Sequence, residues 1–344
     1  MCKNKSRFVF VKFVIKVKFR YLYSATKYIR ETLANILPKM TKIQLTTITI
    51  LMFFNLFGQS SGDSFQNKKE KFSKTIIKEN WEEPDKILKL IEPAIYLEEG
   101  KIEKIGCSKL GGQPDLPKSI QWPKFDNKSM VFYGQINFEE ISKIYPESEL
   151  PKNGILYFFS YFNDPENEFG AEYEFIKSKS EYSVIYYENV NNDLLKTEFP
   201  KDLINDYRFK VMPLKFELEF QIPPTIETSK VELSKLSKKD IEKYNTYIDT
   251  NENYEIETIL GTPYPIQYGA DYDWAYSYLG IKDYNQPGIQ EEIKKVKPYF
   301  INLLSFSMES KFEAIGISFC YFGIHIDDLK NKKFENTIFI MQDT

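Results

Sequence analysis

Eight short runs of β-branched and aromatic residues, each bounded by turn formers, restrict this chain to a strand-dominated fold. They are Ala94–Leu97, Met130–Tyr133, Gly154–Tyr161, Tyr182–Tyr187, Phe216–Phe220, Tyr299–Phe306, Gly316–Phe322 and Thr337–Met341. The 28 Phe and 24 Tyr suit pleated, half-buried surfaces and are enough to build a sizeable core. Helical patterns are fewer. Glu82-Glu83-Pro84 opens a short one that Pro93 stops, Ser234–Tyr247 starts from a serine cap, and Gln290–Lys297 is a third. The expected fold is α+β and β-rich: an extensive, curved, mixed or antiparallel sheet with few peripheral helices.

The strands carry an internal echo. Leu110-Gly-Gly-Gln-Pro114 leads to VFYGQINF and then to GILYFF, while Leu260-Gly-Thr-Pro263 leads to INLLSFSM and then to GISFCYF. The order suggests two related β units forming one body, although identities are too few to prove a duplication.

The N-terminal part reads as an address. From Met40 a short start with Lys42 precedes an apolar stretch to Phe57 and the small-x-small sequence Gly58-Gln59-Ser60, the three parts of a secretory signal. The apolar stretch falls short of the ~20 residues a spanning helix needs. Residues 1–39 form a basic extension, read as a start codon assigned too early or as a membrane-associating arm. The expected organisation is thus 1–39 extension, 40–62 signal-like segment, 63–80 polar linker and 81–344 the folded domain. A periplasmic or secreted product follows if the signal operates; otherwise the chain is cytoplasmic or membrane-associated.

The 46 basic and 49 acidic side chains give a net charge of −3. Without residues 1–39 the balance is 36 basic to 48 acidic, a net −12, which argues against nucleic acid as a partner. Cys2, Cys107 and Cys320 show no CxxC spacing, so no structural zinc site is signalled. Cys107 and Cys320 are either a pair in an oxidising compartment or, more simply, two separate buried thiols.

From Ser108 the chain reads SKLGGQPDLPKSIQWPKFDNKSMVFYGQINF, and from Leu150 LPKNGILYFF. These segments resemble the signatures of the YwqG-like family, a bacterial domain of unknown function. Leu260-Gly261-Thr262-Pro263 with Gln267, and the terminal IDDLKNKKFENTIFIMQ, are similar to its later elements. The resemblance spans residue 85 to the C-terminus. It departs where the family has Trp-Gly-Asp-x-Gly and this chain has Phe312-Glu313-Ala314-Ile315-Gly316. It implies an α+β domain with curved β-sheet and no established chemistry. Within the motif, Gly111 and Gly112 permit backbone angles closed to other residues, and Pro114, Pro117 and Pro123 fix a path placing Trp122 against the sheet.

Candidate chemistry is sparse. The one histidine, His325, would have to serve any Ser-His-Asp or Cys-His site, with Asp327 or Asp328 as orienter and Cys320 or a serine as nucleophile; a surface role is the ordinary reading. Asp271-Tyr272-Asp273-Trp274 is the sharpest acidic motif, since carboxylates one residue apart can share a cation or set an acid beside a base. Its ordinary reading is a solvated loop with Trp274 and Tyr278 turned inward. Asn163–Glu168 resembles a calcium loop only superficially and reads as a hairpin tip. No P-loop, dinucleotide fingerprint or His-rich metal pattern occurs, and no cofactor or metal is expected.

Two functions can be told apart by sequence, a third, a secreted structural domain, being inseparable from the first. The first is a non-catalytic binding or protein-interaction module, with an immunity or adaptor role as an analogy. The second is a carboxylate-dependent, hydrolase-like enzyme or a small-ligand or metal-binding protein built on Asp271 and Asp273, with Gln135 as a polar orienter. The candidate binding residues are Asp271, Asp273, Trp274, Gln135 and Trp122. The partner is an unidentified protein or small molecule.

Overall fold

The computed structural model describes residues 62–101, 104–161, 178–190, 193–251, 254–281, 286–312 and 319–342. The basic extension, the signal-like segment up to residue 61 and the Asn163–Glu168 tip lie outside them. So does most of the Phe312–Gly316 departure.

The strands are β1 (Glu92–Glu99), β2 (Lys109–Leu110), β3 (Asp115–Pro117), β4 (Lys124–Phe125), β5 (Lys128–Ser129), β6 (Val131–Asn137), β7 (Ile155–Ser160), β8 (Tyr182–Tyr187), β9 (Leu194–Lys196), β10 (Met212–Gln221), β11 (Thr258–Leu260), β12 (Phe300–Ser307), β13 (Phe319–His325) and β14 (Ile338–Gln342). The helices are α1 (Gly62–Ile77), α2 (Pro84–Leu88), α3 (Phe138–Ile144), α4 (Ser229–Ser234), α5 (Lys238–Thr250), α6 (Ala270–Tyr278), α7 (Ile289–Val296), α8 (Met308–Phe312) and α9 (Ile326–Lys330).

Ten strands make one antiparallel sheet in the order β14-β13-β12-β11-β1-β10-β2-β6-β7-β8. The sheet curls until its ends meet. Tyr182 Oη on β8 and Lys179 Nζ both donate to the Thr337 carbonyl before β14, at 2.8 and 2.7 Å. The concave side holds the main core, where Leu156, Phe158, Cys320, Phe322, Phe339 and Met341 are buried. Alternate residues of the same strands face outward and are covered too, so β6, β7 and β14 are buried on both faces. Trp122 leans on one outer cluster and Trp274 lies in the other.

The internal echo is a repeat of registers about the central β1–β10 pair. β6 bulges between Phe132 and Gly134 opposite β7, and β12 between Asn302 and Leu304 opposite β13. Each strand then runs directly into a helix, α3 at Phe138 and α8 at Met308. Leu214 N donates to Ser108 O at 3.0 Å, and Leu97 N donates to Glu257 O at 3.1 Å in the matching place. Tyr157 Oη reaches the Asp115 carbonyl at 2.7 Å, just as Tyr321 Oη reaches that of Tyr264 at 3.0 Å. Gly111 and Gly112 have φ of 61° and 67°; Leu260 and Gly261, their counterparts, have 60° and 61°. Two related β units thus share one sheet.

Differences from the sequence reading have local causes. Residues expected to be linker form most of α1, whose few apolar residues suffice because Phe65, Phe72 and Ile76 find partners, Ile77 staying exposed. Phe65 stacks on Tyr145 at 5.1 Å and meets Phe220 at 5.0 Å, and Ile76 is fully buried. The helix expected from Ser234 starts later, at Lys238, where Ser237 caps α5 by accepting from Asp240 N, and Ser234 instead ends the separate helix α4. Strand β1 begins at Glu92 and includes Pro93, which the sequence places as a stop.

Candidate functional site

The five residues singled out in the sequence fall in two places. Gln135 and Trp122 belong to the first β unit, whereas Asp271, Asp273 and Trp274 sit on α6 against the second.

Gln135 is fully buried on β6 and all its bonds are internal. Its Oε1 accepts from Asp115 N at 2.8 Å, and its Nε2 donates to Cys107 O at 2.8 Å and to Asp115 Oδ2 at 2.9 Å. Asp115 Oδ2 also accepts from Gly106 N at 2.9 Å and faces Lys109 Nζ at 2.9 Å, both side chains being fully buried. The network ties the Gly111–Pro114 turn to the sheet. In the second unit Ser305 takes the place of Gln135, its Oγ donating to Ile256 O at 2.9 Å. Trp122 donates Nε1–H to Met130 O at 2.8 Å and packs edge-on against Phe159 at 5.5 Å. Both residues hold the scaffold.

Asp271-Tyr272-Asp273-Trp274 is helical where a solvated loop was the ordinary expectation, and Asp273 is only 2% exposed. Burial pushes its carboxyl up to about 7; a hydrogen bond from the Gln342 side chain opposes this and the charge of Asp271 adds to it. Gln342 is a hub: its Oε1 accepts from Ile266 N and Gln267 N at 3.0 and 3.2 Å, and its Nε2 donates to Tyr268 O at 2.8 Å. Trp274 lies directly on the backbone of Gly323, where a Cβ would stand 2.2 Å from its ring. Tyr278, expected to turn inward, is 48% exposed and stacks on His325. Gln342 was visible in the sequence only as the last residue of the terminal motif.

His325 closes β13 and caps α9, its Nδ1 accepting from Asp327 N at 3.3 Å. Cys107 and Cys320 are separate buried thiols, and burial pushes the Cys107 thiol up. Among the described residues no three His, Cys, Asp or Glu side chains are placed to hold a metal ion. Nor is any described helix long and apolar enough to cross a membrane.

A groove of about 460 Å³ opens where the central pairing lapses. β10 pairs with β2 only at Met212 and Pro213, with one further bond at Leu214. Past that point no described strand lies on this side of β10. Leu214, Phe216 and Ile144 form the apolar lining, and Glu99, Lys101, Glu140 and Lys215 the charged one. Farther along, α1 covers the same edge, Lys68 Nζ donating to Leu218 O at 2.7 Å. None of these residues stood out in the sequence, because each is ordinary for its element.

No curated protein matches the chain. A family model does match, over residues 108–342, the span from the Gly-Gly turn to Gln342. The protein therefore belongs to the family described as Domain of unknown function (DUF1963).

Proposed function

We propose that this domain is a non-catalytic binding module, YwqG-like within its family, and that it takes an extended polypeptide segment in the groove beside β10. The observation that supports this reading is the interrupted edge of β10 between Leu214, whose N–H is taken by the Ser108 carbonyl, and Leu218, whose carbonyl is taken by Lys68 Nζ. An unpaired strand edge offers alternating N–H and C=O groups to an added strand, and flanking apolar side chains give such pairing its specificity. Lining charges of both signs fit a segment with an apolar residue between a basic and an acidic one. An immunity or adaptor role is compatible with this mode of binding, and export would place it outside the cytoplasm.

The test is a labelled decapeptide library screened against residues 62–344, with binders mapped by amide chemical shifts. Binders should perturb Leu214–Leu218 and Glu140–Ile144 and lose at least ~10-fold affinity in Ile144→Asp, as expected for a buried interface anchor. Binders that leave these amides unmoved, or that bind Ile144→Asp equally well, would refute the groove.

A carboxylate-based site at Asp271 and Asp273 is the second reading, favoured by the raised carboxyl of Asp273. Its polar orienter would be Gln342, since Gln135 is committed elsewhere. A hydrolytic activity against generic ester or glycoside substrates that disappears in Asp273→Asn, with the fold intact, would favour it over the binding module.

A further inference from the structure

The chain contains one histidine, and its setting couples a proton to a helix terminus. His325 Nδ1 accepts the Asp327 amide hydrogen at 3.3 Å, which requires that nitrogen to be unprotonated. The carboxylate of the same Asp327, 76% exposed, places Oδ2 3.9 Å from the same Nδ1. One ring nitrogen therefore faces an N–H and a carboxylate of one residue, and its protonation decides which it can bond.

The ring is held for such an exchange. It is 12% exposed, stacked on Tyr278 of α6 at 4.9 Å and 15°. Tyr299 lies at 5.9 Å and Phe300 of β12 meets it edge-on at 5.7 Å. Among the described residues, Asp327 supplies the ion-pair contact to His325, and the Tyr278 and Tyr299 phenols are the titratable groups against its ring. Lys297, at the start of the Tyr299 turn, is engaged by Glu232 at 2.8 Å and by the Glu227 carbonyl. Asp328, next on α9, accepts from Asn336 Nδ2 at 2.9 Å.

We infer that His325 is a proton-dependent cap: protonation exchanges its bond with the Asp327 amide for an ion pair with the Asp327 carboxylate, releasing the first turn of α9. The proton goes to Nδ1, no covalent bond changes, and the freed amide turns to solvent. The loop so loosened leads through Asn336 to Thr337, whose carbonyl joins β8 to β14 at the seam of the sheet. A pH signal at one surface would thus reach the closure of the sheet.

A single imidazole makes the test direct. In the full chain carrying no histidine tag, the ring Hε1 and the Asp327 amide are followed by NMR from pH 8 to pH 5. Both should move with one midpoint. Asp327→Asn should lower the ring's proton affinity about threefold, the scale of an exposed ion pair. His325→Asn keeps a capping oxygen and cannot titrate, so the residue 327 amide should become insensitive to pH in this range. A ring that does not titrate, an amide that does not follow it, an unchanged midpoint in Asp327→Asn, or an amide still responding in His325→Asn would each overturn the inference.

Discussion

Phe158 and Phe322 occupy matching positions in the two β units and meet each other edge to face, with ring centroids 4.9 Å apart. Each follows the bulge of its neighbour, opposite Gly134 on β6 and Leu304 on β12. The repeat therefore folds onto itself: corresponding residues of the two units build the centre of one core. Neither unit has its concave face covered without the other, and the apolar surface buried between them is what unites the sheet.

Truncating either ring should therefore unfold both units together. Phe158→Ala and Phe322→Ala are each expected to cost ~3–5 kcal/mol. The double mutant should show a coupling of ~0.5–1.5 kcal/mol. Urea denaturation followed by tryptophan fluorescence and by far-UV circular dichroism would give coincident transitions. Separate transitions for the two signals would show that the units unfold independently.

The buried pair of Lys109 and Asp115 makes a sharper case. Lys109→Met leaves the Asp115 carboxylate buried with amide donors from Gly106 and Gln135 but without its cation. Removing one member of a buried ion pair costs ~3–5 kcal/mol, whereas replacing both members by uncharged residues costs much less. Lys109→Met should therefore be severely destabilised, and Lys109→Met with Asp115→Asn should recover more than half of the loss. A single mutant within ~1 kcal/mol of the parent would mean that Asp115 finds another way to satisfy its charge.

How much of this could be read in the sequence depended on where each residue's partner lies. The strands were legible because β-branched and aromatic runs announce themselves, and the repeat because Gly-Gly-Gln-Pro and Gly-Thr-Pro each precede a strand. Helix α1 was not, since Phe65 and Ile76 find partners only after folding. The site was mostly illegible. Gln135 looks like a ligand-binding amide until Asp115 and Cys107 surround it, and Asp273 meets its hydrogen-bond partner Gln342 only after the chain has passed through β12 and β13. The groove beside β10 arises from a strand that fails to continue, and no residue type marks that.

Gly323 is a position where the structure forbids a side chain for a reason other than backbone angle. Its φ is not positive, yet an added Cβ would stand 2.2 Å from the Trp274 ring. Gly323→Ala should cost at least ~1–3 kcal/mol as the buried indole is displaced, the range for overpacking a close-packed site. Its fluorescence should shift to the red. Adding Trp274→Leu should return part of the stability by vacating the space; failure of that rescue would mean that β13 itself cannot accept the substitution.

The pH dependence of stability offers the clearest reading of Asp273. Its carboxyl is raised to about 7 in the folded protein, against ~3.9 for an unfolded aspartate. Between those values the unfolded chain has released the proton while the folded chain still holds it, so the folded state binds more protons and stability falls as pH rises. Below pH 4 both states are protonated, and above pH 7 both are ionised, so this contribution is flat at each end. The loss across the window is on the order of a few kcal/mol, because a tenfold difference in proton affinity between the two states is worth about 1.4 kcal/mol. Most paired carboxylates stabilise in the opposite sense, so the comparison that isolates Asp273 is with Asp273→Asn. This variant keeps the shape and cannot ionise. Thermal melts from pH 4 to pH 8 should show the parent losing stability relative to Asp273→Asn as pH rises, with the difference levelling off above pH 7. Parallel profiles would mean that the Gln342 amide and local water stabilise the carboxylate well enough to cancel its burial, and that Asp273 has no proton to offer near neutrality.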